Sequence, residues 1–189
     1  MGAVLEFIRD EDVVVAGIGH TARELYALRM KTKAVVSDLL RDFLCVGGMG
    51  LAFQVAMGAA LSPNKRRVWC FEGDGSFLMH LGSVALAGTF QDLDITYVLL
   101  DNRAHASVGG QSVAAGAIDY AVLSRVLGFR AAERADSPEQ VREALPRLLA
   151  ERGPRFLWAP IRNEPDLKLP RPAEGFEERK EDFMRRLMR

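Results

Sequence analysis

The sequence has few cysteines, no net charge and no long apolar run, and each of these absences excludes a class of protein. Only Cys45 and Cys70 occur among the 189 residues, which excludes a secreted scaffold held together by disulfides. Two thiols alone also cannot ligate an iron–sulfur cluster. Both cysteines stand among apolar neighbours, which indicates buried structural thiols rather than a redox pair.

The charges are balanced, with 25 basic and 25 acidic residues, so no basic surplus favours nucleic acid or an acidic membrane surface. No apolar run approaches the roughly 20 residues that a membrane helix needs. The N-terminal residues meet charge too early for a signal peptide. We therefore expect a cytoplasmic protein that binds neither nucleic acid nor membrane.

The length and the absence of repeats predict a single domain over residues 1–189, with a C-terminal tail from about residue 163. The tail is rich in proline and charge, and near its end it has an apolar stripe at helical spacing. Phe183, Met184, Leu187 and Met188 form this stripe. Two interpretations stay open: a helix packed on its own domain, or a contact with another subunit.

Short β-branched runs alternate with longer helical patterns, which is typical of βαβ units. The run at residues 13–18 is apolar throughout, as expected for a strand covered on both faces. We therefore predict an α/β fold, an open, mostly parallel sheet with helices on both faces. The predicted strands are 13–18, 33–38, 67–73, 95–101 and 155–161, and the predicted helices are 21–30, 51–61, 77–90, 119–127 and 137–151.

The chemistry is concentrated where the third predicted strand ends in Gly73-Asp74-Gly75. Glycines permit a close approach of the backbone, and a helix that starts there offers free N–H groups to an anion. Asp74 adds a hard oxygen ligand that suits Mg²⁺ bridging to a phosphate. Asn102 ends the next strand at the same sheet edge, so the two residues can share one metal, with the Ala104 carbonyl as a third ligand.

Gly-Asp-Gly alone is also a common turn, but here 26 residues separate it from Asn102, and two apolar strands bracket the pair. This spacing resembles the motif of thiamine-diphosphate enzymes. The segments FLCVGGMG, GDGSFLMHLG and LLDNRAHASVGGQ, with GHTAREL upstream and DFMRRL downstream, extend the likeness over about residues 13–187. They resemble the diphosphate-binding half of phosphonopyruvate decarboxylase and the sulfopyruvate decarboxylase β subunit, within the thiamine-diphosphate-dependent 2-oxoacid decarboxylases.

The resemblance implies a thiamine-diphosphate-binding (PP-type) domain and a role for each matching residue. Asp74, Asn102 and the Ala104 carbonyl would hold Mg²⁺. The diphosphate would lie against Gly73, Gly75, Ser76, His20 and Thr21. Met49 would bend the cofactor, and the Gly47 backbone would meet its aminopyrimidine ring. These residues also have ordinary interpretations. His20 could be a solvated loop residue, and Met49 could be a residue of the hydrophobic core.

The loop after Asn102 is the predicted substrate side. His105 is the candidate catalytic residue, because a histidine there could position the substrate acid group or move a proton. Arg103, Ser107 and Gln111 are the candidate substrate contacts. Arg103 and Ala106 stand where related phosphonopyruvate enzymes carry glycine and aspartate, so the choice between sulfopyruvate and phosphonopyruvate stays open.

One part of such an active site has no counterpart in this sequence. Enzymes of this kind activate the cofactor with a glutamate from a separate pyrimidine-binding domain of similar size. The resemblance therefore implies a β subunit that decarboxylates an anionic 3-substituted pyruvate, giving the aldehyde and CO₂, only together with an α subunit. The predicted state is a hetero-oligomer.

Three alternatives remain at this point. Gly17-x-Gly19-x-x-Ala22, followed by Asp38, imitates a dinucleotide fingerprint and would suit a nicotinamide-dependent dehydrogenase. A thiamine-diphosphate carboligase shares the early chemistry of a decarboxylase. A non-catalytic subunit would keep the fold for assembly alone, but it would have no need of both Asp74 and Asn102.

Overall fold

The computed structural model describes residues 1–31, 41–113, 116–164, 168–173 and 175–188. The predicted strand at 33–38 and Asp38 of the dinucleotide-like pattern lie outside these ranges. No helix in the described part of the chain is long and apolar enough to cross a membrane. The expectation of a cytoplasmic location stays a prediction.

Six strands form one sheet in which every pairing is parallel, which confirms the predicted α/β fold. Their order across the sheet is β2-β1-β3-β4-β8-β7. The strands are β1 Val13–Ala16, β2 Arg41–Leu44, β3 Val68–Gly73, β4 Ile95–Asp101, β7 Ala131–Arg134 and β8 Arg155–Pro160. A separate hairpin pairs β5 Ala104–His105 with β6 Gln111–Ser112 in antiparallel fashion.

Helices connect the strands and cover both faces of the sheet. They are α1 Gly2–Leu5, α2 His20–Lys31, α3 Ala52–Ala60, α4 Asp74–Met79, α5 Leu81–Val84, α6 Leu86–Thr89, α7 Tyr120–Val126, α8 Pro138–Ala150 and α9 Phe176–Leu187. Two apolar clusters result, one on each face. Cys70, Tyr97 and Phe156 belong to the first cluster, and Trp69 and Leu157 to the second.

The two cysteines are free and buried, as predicted. Burial raises the pKa of the Cys45 thiol to about 12, and the pKa of the Cys70 thiol is also raised by burial. Since the thiolate is the reactive form, neither cysteine has the properties of a redox residue.

Two strands of the sheet, β2 and β7, were not predicted from the sequence. Each is an edge strand, and each carries charged residues, such as Asp42 in β2 and Glu133 in β7, that obscure an apolar pattern. An edge strand has one open side and is only half covered, so it needs no continuous apolar run.

The prediction of a single helix at 77–90 is wrong. Helices α4, α5 and α6 replace it, and α4 already begins at Asp74. The first break is at His80, whose backbone (φ −122°, ψ 36°) is not helical. Ser83, in α5, donates to the His80 carbonyl with both its backbone N–H and its hydroxyl.

The tail helix α9 packs on the edge strand β2 of its own domain. Phe183 and Leu187 are buried, and the Phe183 ring lies 5.0 Å from that of Phe43. Arg41 of β2 donates to the Arg186 carbonyl at 2.9 Å. The own-domain interpretation is therefore confirmed for these two residues. Met184 and Met188, the other half of the stripe, are exposed.

We expect Phe183→Ala to lower the free energy of unfolding by about 3 kcal/mol, because it removes a buried ring and leaves a cavity between α9 and β2. Met184→Ala, on the exposed side of the same helix, is the matched control and should change it by less than about 0.5 kcal/mol. Urea unfolding followed by circular dichroism measures both. Equal losses would show that α9 is not anchored through Phe183.

Candidate functional site

The sheet order places the site at the carboxyl ends of β1, β3 and β4. The chain leaves β1 toward β2 on one side, while β3 and β4 lie on the other, so the connections diverge and leave a crevice. A cavity of about 170 Å³ opens there. The predicted site residues that line it are His20, Thr21, Met49, Gly73, Asp74, Gly75, Ser76, Asn102, Ala104, His105 and Ser107.

Asp74 is the first residue of α4, follows the extended Gly73 directly, and is only 2% exposed. Its Oδ2 atom has no hydrogen-bond partner in the described part of the chain. Burial, followed by the charge of Asp101, raises the pKa of the Asp74 carboxyl from 3.8 to about 6. A buried carboxylate without a partner is costly unless a cation neutralises it, so the residue fits a metal ligand.

Asn102 and Ala104 line the same cavity as Asp74. The Asn102 Oδ1 atom accepts the backbone N–H of Ala104 at 3.1 Å, which bends the chain sharply after β4. Arg103, between them, has a φ of 57°, in the left-handed region. In the described residues no three His, Cys, Asp or Glu side chains converge as a metal site. A cation at Asp74 would thus need the amide and carbonyl oxygens of this turn and oxygens from a ligand.

Asp101 was missed by the sequence reasoning, although it stands directly before Asn102 as the acidic end of a buried strand. It is almost fully buried, and its Oδ2 atom accepts the indole N–H of Trp158 at 3.0 Å. Its Oδ1 atom accepts the backbone N–H of Arg103 at 3.2 Å. These bonds hold a second negative charge close to Asp74, which strengthens the attraction of the site for a cation.

Gly75 lies between the predicted metal ligand Asp74 and the predicted catalytic residue His105. A Cβ at Gly75 would lie 2.5 Å from the Cε1 atom of His105 and 3.3 Å from the Cε atom of Met49. The imidazole and the methionine methyl group therefore converge over the start of α4. Only glycine leaves room for both, which explains the residue type at this position.

The β5–β6 hairpin closes one side of the cavity. A Cβ at Gly19, in the loop after β1, would lie 3.1 Å from the Ser107 hydroxyl oxygen. Ser107 belongs to a 3₁₀ turn, Ala106–Val108, that joins the two hairpin strands. From the sequence, this segment was predicted to be a loop. The pairing of two-residue strands leaves too short an apolar alternation to be recognised.

Three of the predicted site residues do not line this cavity in the structure. Arg103 lines a separate cavity of about 30 Å³ beside Val113 and Tyr120. Gln111 is exposed, with its side chain against Gly109, and Gly47 is exposed with open space around its Cα. No lysine or arginine is among the described residues that line the main cavity. Ile18, Glu24, Leu100, Ala106, Val108 and Ile161 line it and were not predicted.

Glu72 is a further residue that the sequence reasoning missed. It lies two positions before Asp74 in β3, is 1% exposed, and accepts the Tyr97 hydroxyl at 2.8 Å through Oε2. Burial raises the pKa of the Glu72 carboxyl to about 7, while the Tyr97 hydroxyl and the backbone N–H groups of Ala52 and Gly50 lower it. An acid inside an apolar strand run is the signal that could have identified it.

We expect Asp74→Asn to stabilise the chain in the absence of metal. The pKa of Asp74 is about 6 in the folded chain and 3.8 without burial, so the stability gained by holding its proton is lost as the pH rises through about 6. Near pH 8 the variant should be more stable by on the order of 1 kcal/mol, since cavity solvent screens part of the effect. The difference should shrink toward pH 4.

Urea unfolding of both chains between about pH 4 and 8, with a chelator present, measures this difference. A variant that is less stable than the wild type at every pH would contradict the assignment of Asp74 as an uncompensated buried carboxyl.

Comparison with known proteins gives one consistent family. Residues 18–159 match the model of the thiamine pyrophosphate enzyme C-terminal TPP-binding domain. The sulfopyruvate decarboxylase β subunit of Methanothermobacter thermautotrophicus is 34% identical over 155 residues, which are 82% of this chain and 76% of that subunit. Phosphonopyruvate decarboxylase of Streptomyces hygroscopicus is 37% identical over 149 residues, 79% of this chain but only 35% of that enzyme.

A solved structure shares the fold. It is a chain from Mycobacterium smegmatis described as a candidate thiamin diphosphate-dependent enzyme, and it aligns with a TM-score of 0.66 at 23% identity. The alignment covers 84% of this chain and 30% of that one. At this identity the likeness supports the fold alone, which agrees with the parallel sheet described above.

Proposed function

Because the chain belongs to the thiamine pyrophosphate enzymes, as a C-terminal TPP-binding domain, we propose that it is the β subunit of a Mg²⁺-dependent decarboxylase. The substrate is sulfopyruvate or phosphonopyruvate, and the products are the aldehyde and CO₂. The observation that carries the proposal is the buried Asp74 carboxyl, whose Oδ2 atom has no hydrogen-bond partner among the described residues and which lines one cavity with Asn102 and Ala104.

The residues fit the cofactor and its metal. Asp74, the Asn102 side-chain oxygen and the Ala104 carbonyl would hold Mg²⁺, and the oxygens of a diphosphate would complete its preference for about six oxygen ligands. Gly73, Gly75, Ser76, His20 and Thr21 line the same cavity and would contact the diphosphate. The Nδ1 atom of His20 has no partner in the described part of the chain, so it is free to meet an anion.

When bound, the cofactor supplies a carbon nucleophile and an electron sink for the loss of CO₂ from a 2-oxo acid. The residues of this chain would position the cofactor and the substrate. Met49, beside Gly75, would contact the cofactor, and the backbone of Gly47, which is exposed outside the cavity in the structure, would approach its aminopyrimidine ring from the same loop as Met49. His105 lies against Gly75, where it would orient the substrate carboxylate or return a proton to the product.

The second anionic group of the substrate needs donors. From this chain His105 and Ser107 can provide them, because both line the cavity. Arg103 lines a different cavity in the structure, and Gln111 is exposed, so either would have to move to reach the substrate. A cationic group for such a substrate would come from the partner subunit, or from Lys31 and Arg162, which line an adjoining cavity of about 350 Å³ that shares His20 and Asn102 with this one.

The proposed partner is an α subunit, because the relatives that this chain resembles over most of their length are named β subunits. The chain spans 76% of the sulfopyruvate decarboxylase β subunit but about a third of the phosphonopyruvate decarboxylase chain. An α subunit carrying the pyrimidine-binding domain and its glutamate would supply the remainder, in a cytoplasmic hetero-oligomer with the active site between the two chains.

We expect the full chain to bind thiamine diphosphate with a strong dependence on Mg²⁺, and Asp74→Asn to weaken this binding by more than about tenfold, since even outer partners of a metal site contribute that much. Isothermal titration with and without Mg²⁺ measures both. Asp136→Asn, at an exposed aspartate paired with Arg134, is the matched control and should bind as the wild type does. Unchanged binding by Asp74→Asn would refute the metal site.

In the complex with the α subunit, we expect His105→Gln to lower kcat by about a hundredfold, the contribution typical of a positioned acid or base, with cofactor affinity nearly unchanged. Arg103→Ala, measured beside it, should change neither kcat nor KM by more than about twofold, because its side chain lines another cavity. Steady-state decarboxylation assays separate the two. A large rise in KM for Arg103→Ala alone would restore the sequence-based assignment of Arg103.

A further inference from the structure

A second, smaller cavity lies beside the turn that carries the proposed metal ligands Asn102 and Ala104. Its volume is about 30 Å³, and it shares no lining residue with the main cavity. We call it the Tyr120 cavity. A polar cavity needs about 10–15 Å³ of such space to hold a water molecule, so this one is large enough. Its lining residues are Asp101, Arg103, Val113, Gly116, Ile118 and Tyr120.

Tyr120 carries a buried hydroxyl group that ordinary packing does not explain. The residue is 2% exposed, and its hydroxyl oxygen has no hydrogen-bond partner among the described residues. Its ring meets those of Phe77 and Trp158 edge-on, with centroids 5.6 and 5.5 Å away. Phenylalanine would make the same ring contacts, and a buried hydroxyl without a hydrogen bond is costly. The hydroxyl therefore indicates a polar partner in the cavity that Tyr120 lines.

Asp101 can accept a further hydrogen bond on the wall of the same cavity. Its Oδ1 atom accepts the backbone N–H of Arg103 at 3.2 Å, and its Oδ2 atom accepts the indole N–H of Trp158 at 3.0 Å. A carboxylate has about four acceptor positions, so these two bonds leave capacity for more. The Tyr120 hydroxyl does not reach this carboxylate directly. A molecule that both accepts and donates is needed to join them, and water does both.

The contents of the cavity also contact the residues that hold the turn. The backbone of Arg103, at the centre of the turn, has a φ of 57° and is fixed from two sides. Asp101 accepts its N–H, and the Val113 N–H donates to its carbonyl at 3.0 Å. Both of these neighbours line the cavity, and the Arg103 side chain offers it additional donors.

We propose that the Tyr120 cavity is a binding site for one ordered water molecule, which accepts a hydrogen bond from the Tyr120 hydroxyl and donates one to the Asp101 carboxylate. The water joins α7 to the metal turn, residues 102–104, and so holds Asn102 and Ala104 where they can bind Mg²⁺. The water site is argued from the geometry of the cavity alone, whereas its effect on Mg²⁺ rests on the proposed function.

A high-resolution crystal structure of the full chain tests the water site. We expect one well-ordered water about 2.7–3.0 Å from both the Tyr120 hydroxyl and an Asp101 carboxylate oxygen. Val113→Ile adds a methylene group to the wall and should displace this water, while Tyr120→Phe should lower its occupancy. An empty cavity in the wild type contradicts the proposal. So does an anomalous signal there after a soak in Rb⁺ or Br⁻, because the site would then take an ion.

The effect on the metal is measured as the Mg²⁺ concentration that gives half-maximal binding of thiamine diphosphate in isothermal titration. We expect Tyr120→Phe and Val113→Ile each to raise it about fivefold, less than the tenfold or more of a direct outer partner, since the water acts through Asp101 and the turn. Tyr97→Phe is the matched control, because it also loses a buried hydroxyl but lines neither cavity. It should change the midpoint by less than about twofold.

Hydrogen exchange gives a readout that general destabilisation would not imitate. In Tyr120→Phe and Val113→Ile, residues 101–105 should exchange faster than in the wild type. Residues 73–79, which contain the other proposed metal ligand, should keep their rates. Faster exchange over both ranges would contradict a local effect on the turn.

If Tyr120→Phe does not fold, Val113→Ile carries the comparison, because it keeps the hydroxyl and fills only the cavity. Unchanged Mg²⁺ dependence in a variant whose crystal structure lacks the water would overturn the link to the metal turn. A shift in Tyr97→Phe as large as that in Tyr120→Phe would also overturn it. If the wild-type chain does not bind thiamine diphosphate with Mg²⁺, the proposed function fails instead, and the crystal structure and the exchange rates still decide the water site.

Discussion

Asp74 directly follows β3 and Asp101 ends the neighbouring strand β4, and both residues are almost fully buried. The indole N–H of Trp158 holds Asp101 in place, whereas the Oδ2 atom of Asp74 has no partner among the described residues. Like charges at close range in a poorly solvated site are unfavourable, and a divalent cation reverses the sign of that energy. The folded chain keeps an arrangement that is costly without a ligand, and the surrounding sheet must stabilise it.

The parallel sheet provides that support. Its central strands β3 and β4 are buried along nearly their whole length, so their carboxyl ends are fixed by packing from both faces. The segments that follow β1, β3 and β4 carry the polar residues of the cavity. The packing of such a sheet can stabilise strained or uncompensated groups at one of its edges. In open α/β sheets, this edge is the usual position of ligands.

The central strands were predictable because a strand covered on both faces is a continuous apolar run, as in Ile95–Asp101. The edge strands β2 and β7 were not, because a half-covered strand tolerates residues such as Arg41 and Glu133. The Gly-Asp-Gly spacing and its resemblance predicted a set of site residues of which most line one cavity in the structure. Arg103 shows the limit of such reasoning: a positive φ turns its side chain into a different cavity from that of its neighbours Asn102 and Ala104.

The sequence by itself determined the α/β fold class and the membership of the thiamine pyrophosphate enzymes. The fold class and the family follow from local periodicity and short motifs, because both depend only on residue types and their spacing along one chain. Only the tertiary structure decided that His105 and Met49 meet over Gly75, that Asp101 acts on Asp74, and that Glu72 is buried against the Tyr97 hydroxyl. Each of these contacts connects separate elements, and its distance depends on how the strands align and how the loops pack rather than on any pattern within one segment.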